Sequence, residues 1–250
     1  MMCSTKRVAA GALAVALSAG TVSAATFDFQ AIADGAAFNT TGGPVPAGAE
    51  GSWASIVGAA TTGIVSGGIS VVAGGTGNNG LGGTSTLNAY FDRGSAGLGV
   101  CGTLTAGAQC NPSNDDNVGS MGGTNNSAGL SFETLILTFS TRVAISALNL
   151  AGEGHGLFGG TVSINGTNFG PGAFAGVGGD YSTLTAAALA SLGQSVIWSF
   201  QYVPVSQVSS TDEFYIDSIT VAAVPIPAAG LMLLGALGGL AAVRRSRRAA

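Results

Sequence analysis

Short stretches in which apolar and polar residues alternate recur between residues 26 and 223, separated by glycine-rich segments. The clearest stretch is Ser131 to Ser140, where Leu135, Leu137 and Phe139 recur at every second position and polar residues such as Thr138 stand among them. Alternation with a period of two is typical of β-strands that have one buried face. The other runs that predict strands cover residues 26–29, 52–57, 87–91, 143–150, 160–164, 167–169, 195–203 and 213–221.

The segments between these runs predict tight turns. Asn165-Gly166 separates two apolar runs and is the pair that a two-residue type I′ turn prefers. Gly67-Gly68 lies inside the apolar segment from residue 63 to 73, which fits either a hairpin or one kinked strand. Thr141-Arg142 predicts a break between two strands, and only residues 184–192 favour a short helix. The region therefore predicts an all-β domain, and about 200 residues fits a single β-sandwich.

The N-terminus has the features of a secretory signal peptide. Lys6 and Arg7 precede an apolar run over residues 8–19, and Val22-Ser23-Ala24 supplies small residues for cleavage after Ala24 or Ala25. We therefore predict three parts: a signal peptide over residues 1–25, a β-sandwich ectodomain over residues 26–223, and a C-terminal segment over residues 224–250.

The C-terminal segment predicts a membrane anchor. Residues 224–243 contain no charge, and a helix of that length rises about 30 Å, the thickness of the hydrocarbon core of a bilayer. A basic tail follows and is expected to stay on the cytoplasmic side. Its arginines are Arg244, Arg245, Arg247 and Arg248.

A proline-containing motif stands at the start of this anchor: Val224, Pro225, Ile226, Pro227 and Ala228. Together with the apolar helix and the arginine tail, it resembles the PEP-CTERM sorting signal in its Val-Pro-Leu-Pro-Ala variant, with Ile226 at the leucine position. The resemblance implies recognition by an exosortase-type membrane peptidase. It also implies anchoring in the inner membrane before processing, then transfer to the cell surface or release from a Gram-negative bacterium. The alternative is a plain anchor that nothing cleaves.

Charge is distributed unevenly along the chain. All twelve acidic residues lie between Asp28 and Asp217, whereas Arg93 and Arg142 are the only arginines or lysines of the predicted ectodomain, which gives it a net charge of −10. A surface of this sign repels phosphate backbones, so we expect no nucleic-acid partner.

Cys101 and Cys110 are the cysteines that remain after removal of the signal peptide. A pair of cysteines in an exported chain is most often a disulfide. A zinc site is the alternative. It would need two further ligands, and the single histidine, His155, lies far along the sequence.

Residues 111–118, which follow Cys110, are crowded with carboxylate and amide oxygens. Such oxygens are ligands for Ca²⁺, but the spacing is not that of an EF-hand, and a polar turn without metal explains the same residues. This loop and the runs around residues 97–101, 133–139 and 214–219 resemble the ectodomain pattern of many PEP-CTERM proteins, which are similar to jelly-roll, carbohydrate-module-like sandwiches. The resemblance implies a structural calcium ion held by Asp115, Asp116, Glu133 and Asp217.

Signatures of catalysis are absent from the sequence. No Gly-x-Ser-x-Gly elbow accompanies His155, and no phosphate-binding Gly-x-x-x-x-Gly-Lys occurs. We therefore expect a non-catalytic, surface- or matrix-associated protein, with exopolysaccharide as the expected surroundings. The alternatives are a carbohydrate-binding module that uses Ca²⁺ and an exported hydrolase. A carbohydrate-binding module requires exposed aromatic residues, whereas a structural domain buries them.

Overall fold

The computed structural model describes residues 24–45, 50–78, 83–111, 116–119, 132–177, 179–203, 213–225 and 244. The chain divides into two units. The larger unit comprises Val22–Val224, and the smaller unit comprises Met1–Thr21 together with Pro225–Ala250. Of the second unit only Pro225 and an exposed Arg244 are described. In these ranges no helix has the length and apolar character needed to cross a membrane. Parts of the predicted sorting segment lie outside the described residues: Ile226, Pro227, Ala228, Arg245, Arg247 and Arg248.

Strands dominate the larger unit, as the alternating pattern predicts. The strands are β1 (Ala24–Asp28), β2 (Phe38–Thr40), β3 (Gly43–Val45), β4 (Gly51–Ser52), β5 (Ile64–Ser66), β6 (Ile69–Asn78), β7 (Thr84–Asp92), β8 (Gly97–Cys101), β9 (Phe132–Gly152), β10 (Gly156–Leu157), β11 (Val162–Ile164), β12 (Thr167–Phe169), β13 (Phe174–Val177), β14 (Tyr181–Leu184), β15 (Ser195–Tyr202) and β16 (Phe214–Ala223). Three short helices interrupt them: α1 (Phe29–Ala33), α2 (Trp53–Val57) and α3 (Ala186–Ser191).

The long strand β9 is the centre of the sheet. Its first half lies between β6 and β15, and its second half pairs with β16 and β14. Thr141-Arg142, where the sequence predicts a break, lies inside this continuous strand. The predicted break is wrong, because the strand continues while its partners change: β6 pairs with β9 as far as Phe139 and β16 pairs with it from Val143. The register between β9 and β15 shifts over the same residues.

Five strands close into a ring. β9 pairs with β6, β6 with β7, β7 with β8, β8 with β16, and β16 again with β9. A ring of this kind leaves these strands without free edges along the closed path, so their backbone groups are satisfied internally. The all-β prediction is confirmed, while the jelly-roll order of strands stays a prediction.

Aromatic side chains fill the core that this ring encloses. Phe27 packs against Phe29 and Phe139, Phe29 continues to Phe91, and Phe91 stacks on Trp53 at a ring-centre distance of 5.4 Å. All five are at most 2% exposed. Burying each such ring contributes about 1.5–3 kcal/mol, so this row links β1, β9, β7 and α2 into one core.

The local predictions have mixed outcomes. Residues 63–73 form a hairpin with Gly67-Gly68 at its turn, Asn165-Gly166 forms the predicted turn, and α3 is the predicted helix. The strand predicted over residues 52–57 is wrong, because these residues form α2. Ser52 caps that helix by accepting from the Ser55 amide, and Gly58 ends it in the left-handed conformation at φ +94°.

Candidate functional site

The predicted disulfide is present. Cys101 at the end of β8 is bonded to Cys110, with their Cα atoms 5.8 Å apart. Both cysteines are therefore committed to each other, which rules out the zinc alternative. The buried Tyr90 of β7 packs against this disulfide. Its phenol oxygen lies 3.1 Å from Glu50 Oε1 and 3.1 Å from Gln109 Oε1. Burial above all, with the Glu50 charge, raises the pKa of Tyr90 far beyond its usual value.

His155 and Asp92 are in contact at the end of β7. Nε2 of His155 lies 3.1 Å from Asp92 Oδ2, and Nδ1 lies 2.6 Å from the carbonyl oxygen of Gly94. His155 sits in a turn at φ +57°, which aims the ring at the neighbouring turn after β7. Burial raises the pKa of the Asp92 carboxyl, and the His155 charge opposes that shift.

The positions of the protons follow from these two contacts. A carbonyl oxygen can only accept, so Nδ1 of His155 must carry a proton and donate to Gly94. The contact between Nε2 and Asp92 then shares a single proton, either on the imidazolium or on the carboxyl. Both ring nitrogens are occupied, so His155 offers no free nitrogen for general-base catalysis. His155 therefore connects its own turn, residues 153–155, to the turn that follows β7.

Tyr215 and Asp116 extend this network into the interior. The phenol of Tyr215 donates to Asp116 Oδ1 at 2.6 Å and also lies within hydrogen-bond reach of Asp92. The His155 ring meets Tyr215 edge-on at 5.9 Å. Burial is the main cause that raises the pKa of Asp116 to about 7, and the Asp92 charge adds to it, whereas the Tyr215 hydrogen bond opposes it. Burial likewise raises the pKa of Tyr215.

A second group of polar side chains surrounds Gly119. The backbone amide of Gly119 donates to Glu133 Oε2 at 3.3 Å, and its carbonyl accepts from the Glu133 amide at 2.9 Å. Val118 pairs with Phe214, which brings Glu213 to the same place. Asn117, Glu133 and Glu213 are at most 4% exposed.

Asp217 lies at a third place. It occupies a bulge where the register between β16 and β9 shifts, and its Oδ1 accepts from the Ser218 hydroxyl at 2.8 Å. Burial raises the pKa of Asp217, and the charges of Asp28 and Asp180 contribute.

The four acids of the sequence-based calcium prediction thus have different surroundings. Asp116 faces Tyr215 and Asp92, Glu133 faces Gly119, and Asp217 is influenced by Asp28 and Asp180. Asp115 lies outside the described residues. Within the described part of the chain, no three His, Cys, Asp or Glu side chains form a group that could hold a metal ion. A calcium site with these four ligands stays a prediction.

Every aromatic residue of the chain falls within the described ranges, and none is classed as exposed. Trp198 and Phe200 of β15 are fully buried, as the alternation of that strand predicts, and Trp53 is 2% exposed. The exposed large apolar side chains of the described residues are aliphatic: Leu157, Val177, Val196 and Ile197. No aromatic pair is therefore presented for stacking on a sugar ring.

Sequence reasoning did not find several of these polar residues. Asp92 and Glu213 carry no local motif, and only the pairing of the strands brings Asp92 beside His155 and Glu213 beside Gly119. Gly97-x-Gly99 is the sequence signal for a close approach of other backbone segments to β8. A Cβ at Gly97 would collide with the Ile216–Asp217 backbone, and a Cβ at Gly99 would collide with the Asp116–Asn117 backbone. Comparison with protein-family models, with curated proteins and with solved structures finds no match for this chain.

Proposed function

We propose that this chain is an exported, non-catalytic surface protein of a Gram-negative bacterium. In this proposal the signal peptide directs export, the C-terminal segment anchors the chain in the inner membrane, and an exosortase-type peptidase then releases or transfers it. The β-domain serves a structural role at the cell surface, in contact with exopolysaccharide. The sorting part of the proposal is supported by the sequence from Val224 onward.

The absence of an exposed aromatic side chain is the observation that favours the structural role, because every aromatic ring is buried or half-buried. Protein modules that bind sugars use exposed rings, because an aromatic face stacks on the apolar face of a sugar. Here Trp53, Trp198 and Tyr215 lie in the interior. The exposed positions of β9 include the hydroxyl groups of Thr138 and Ser140, which suit a hydrated matrix, whereas the neighbouring β15 exposes the aliphatic Val196 and Ile197.

His155 also favours a role without catalysis. It is the only histidine of the chain, and both of its ring nitrogens are engaged, by Asp92 and by Gly94. A hydrolase that used this residue would need one nitrogen directed at a nucleophile or at water. The contacts that His155 makes support a structural function, in which the ring ties the turn at residues 153–155 to the turn after β7.

Cell fractionation tests the sorting proposal. The intact chain is produced in a Gram-negative host that has an exosortase and in the same host without it. We expect a shortened protein at the surface or in the medium of the first host, and a full-length protein in the inner membrane of the second. Replacing both Pro225 and Pro227 with alanine in the first host should reproduce the second pattern. Identical mass and location in all three strains would contradict the proposal.

A groove on the surface supports the carbohydrate-binding alternative. A groove of about 360 Å³ lies between α2 and the sheet, with Trp53 and Ala54 on one side and Gly74, Asn88 and Ile136 among the lining residues of the other. If it binds glycans, affinity electrophoresis in polysaccharide gels should retard the parent protein but not Thr138→Arg, which would fill the groove. Equal migration of both proteins would leave the structural role as the sole proposal.

A further inference from the structure

One surface of the central sheet, which we call the outer face, carries no charged residue. It consists of the outward side chains of four neighbouring strands, β7, β6, β9 and β15, over residues 84–88, 72–78, 134–138 and 197–201. Apart from Gly74, these side chains are threonine, serine, asparagine, glutamine, valine and isoleucine. Residues 26–223 carry a net charge of −10, so the outer face is a surface on which a second copy can approach without meeting acids.

An aliphatic ridge stands at one side of the outer face. Val196 and Ile197 of β15 are 40% and 54% exposed, and Ile197 is the most exposed large apolar side chain of the described residues. Burying an aliphatic side chain of this size contributes about 1.5–3 kcal/mol, which the isolated chain forgoes here. Adjacent exposed apolar side chains of this kind are typical of a surface that another molecule covers.

The groove between α2 and the sheet lies on the other side of the same face. Its volume is about 360 Å³, and side chains of β6, β7 and β9 line it. Gly74 lines this groove, and a Cβ at this position would meet nothing within 4 Å. Ile197 pairs with Thr138, and Thr138 pairs with Val72, so the ridge and the groove are two strands apart on one surface.

This order of ridge, central strand and groove is self-complementary. A two-fold axis parallel to β9 exchanges the two sides of the sheet, so it places β15 of one copy over β6 of the other. Because neighbouring strands lie about 4.8 Å apart, Ile197 of each copy then stands above the groove of the other, beside Gly74. An interface with this symmetry closes at two copies, since each contact occurs twice.

We propose that two copies of this chain associate through the outer face, with Ile197 of each copy seated in the groove of the other. Four strands over six outward and inward positions cover about 400 Å² on each copy, whereas a standard interface buries about 800 Å² per partner. We therefore expect weak, reversible association, with a Kd of about 10–1,000 µM. The association is independent of the sorting proposal, and it gives the structural role a partner, a second copy of the chain.

Cross-linking of the full chain in detergent tests the symmetry. Thr138 lies on β9, so the proposed axis brings the two copies of this residue together. A short bismaleimide should join Thr138→Cys into a dimer, while Cys101 and Cys110 stay in their disulfide. Both this variant and its control carry Cys3→Ser.

Val177→Cys is the control for the cross-linking. Val177 is 41% exposed on β13, outside the outer face, so this variant should stay monomeric at the same concentration. Equal cross-linking of both variants would show contact without the proposed symmetry and would overturn the proposal. The absence of a Thr138→Cys dimer would also overturn it.

Charge substitutions test the contact between ridge and groove by sedimentation. Ile197→Asp places a carboxylate in the groove of the other copy and should weaken association by about tenfold or more. Leu157→Asp is the matched control, because Leu157 is 43% exposed and lies on β10, outside the outer face. It should associate like the parent, and equal weakening by both substitutions would contradict the proposed contact.

A mixture of two variants tests whether ridge and groove meet each other. Asn88→Lys places an ammonium group at the groove and should also weaken association when alone. An equal mixture of Ile197→Asp and Asn88→Lys should recover association, because one of the two contacts then joins opposite charges. A mixture as weak as either variant would contradict the proposal. A parent that is monomeric up to about 1 mM but is retarded in polysaccharide gels would assign the groove to a glycan and overturn it.

Discussion

At the residue scale, two adjacent glycines of β6 face opposite sides of the sheet. A Cβ on Gly74 would meet nothing within 4 Å, whereas a Cβ on Gly75 would stand 2.7 Å from Val100 Cγ1 in the core. We expect Gly75→Ala to lower the free energy of unfolding by about 1–3 kcal/mol through overpacking. Gly74→Ala should be neutral or stabilising by up to about 1 kcal/mol, because it restricts the unfolded chain.

Urea unfolding of the parent and both variants measures these effects. Each variant is the control for the other, since they share the same substitution, strand and neighbours in sequence. A further variant, Gly75→Ala with Val100→Ala, should recover part of the lost stability by making room for the added methyl group. Equal destabilisation by both single substitutions would show that Gly74 and Gly75 do not differ in the space around them.

The carboxyl of Asp92 gives stability a dependence on pH. Burial raises its pKa in the folded chain, so between the unfolded and folded values the folded state holds the extra proton. The stability contribution is fully present below about pH 3.9 and is lost as pH rises through the raised pKa. We therefore expect Asp92→Asn to show a smaller fall in Tm than the parent as the pH rises above about 4.

Asp34→Asn is the control for this measurement. Asp34 is an exposed acid that accepts from the Gly94 amide, in the same turn that His155 contacts. Its substitution removes one negative charge near the turn without touching the buried carboxyl. If Asp92→Asn and the parent lose Tm in parallel over this pH range, the pKa of the Asp92 carboxyl is not raised in the folded chain.

At the element scale, the disulfide stabilises the loop between Cys101 and Cys110. Replacing both cysteines with serine should lower the free energy of unfolding by about 2–3 kcal/mol, because the unfolded chain regains the entropy of an open loop. Urea unfolding measures the loss, and the parent protein in reductant should match the double variant. Unchanged stability in both samples would mean that the backbone bridge between Leu104 and Cys110 is sufficient to hold the loop.

Most strands were predictable because their residues carry the burial pattern locally. In β15, Trp198, Phe200 and Tyr202 are buried at every second position. Asn165-Gly166 specifies the turn between β11 and β12 without help from distant residues. The error over residues 52–57 has the opposite origin. That segment is short and apolar, and Ser52 with Gly58 provides helix caps whose effect outweighs the β-branched residues between them.

The polar groups could not be predicted in the same way, because they depend on long-range pairing. Asp92 and His155 are separated by 63 positions, and Asp116 and Tyr215 by 99. The acids of residues 111–118 were predicted as calcium ligands from the composition of that loop. Glu213, which lies beside Gly119, carries no local signal that distinguishes it from any other acid.

At the scale of the whole molecule, net charge and core composition act together. Residues 26–223 carry a net charge of −10, so this part of the chain has little tendency to associate through its acidic surfaces, and its stability must come from the interior. The closed ring of strands and its aromatic core provide that stability with few charged residues.

Tryptophan fluorescence tests this arrangement for the entire fold. Trp53 donates its indole proton to the Thr62 carbonyl at 3.0 Å, and Trp198 is fully buried. We expect emission at short wavelength and weak quenching by acrylamide, a neutral quencher that the acidic surface does not repel, with strong quenching in urea. Soluble polysaccharides should leave the emission unchanged. Strong quenching in the native state, or a polysaccharide-induced shift, would show an accessible indole and would favour the carbohydrate-binding alternative over the structural role.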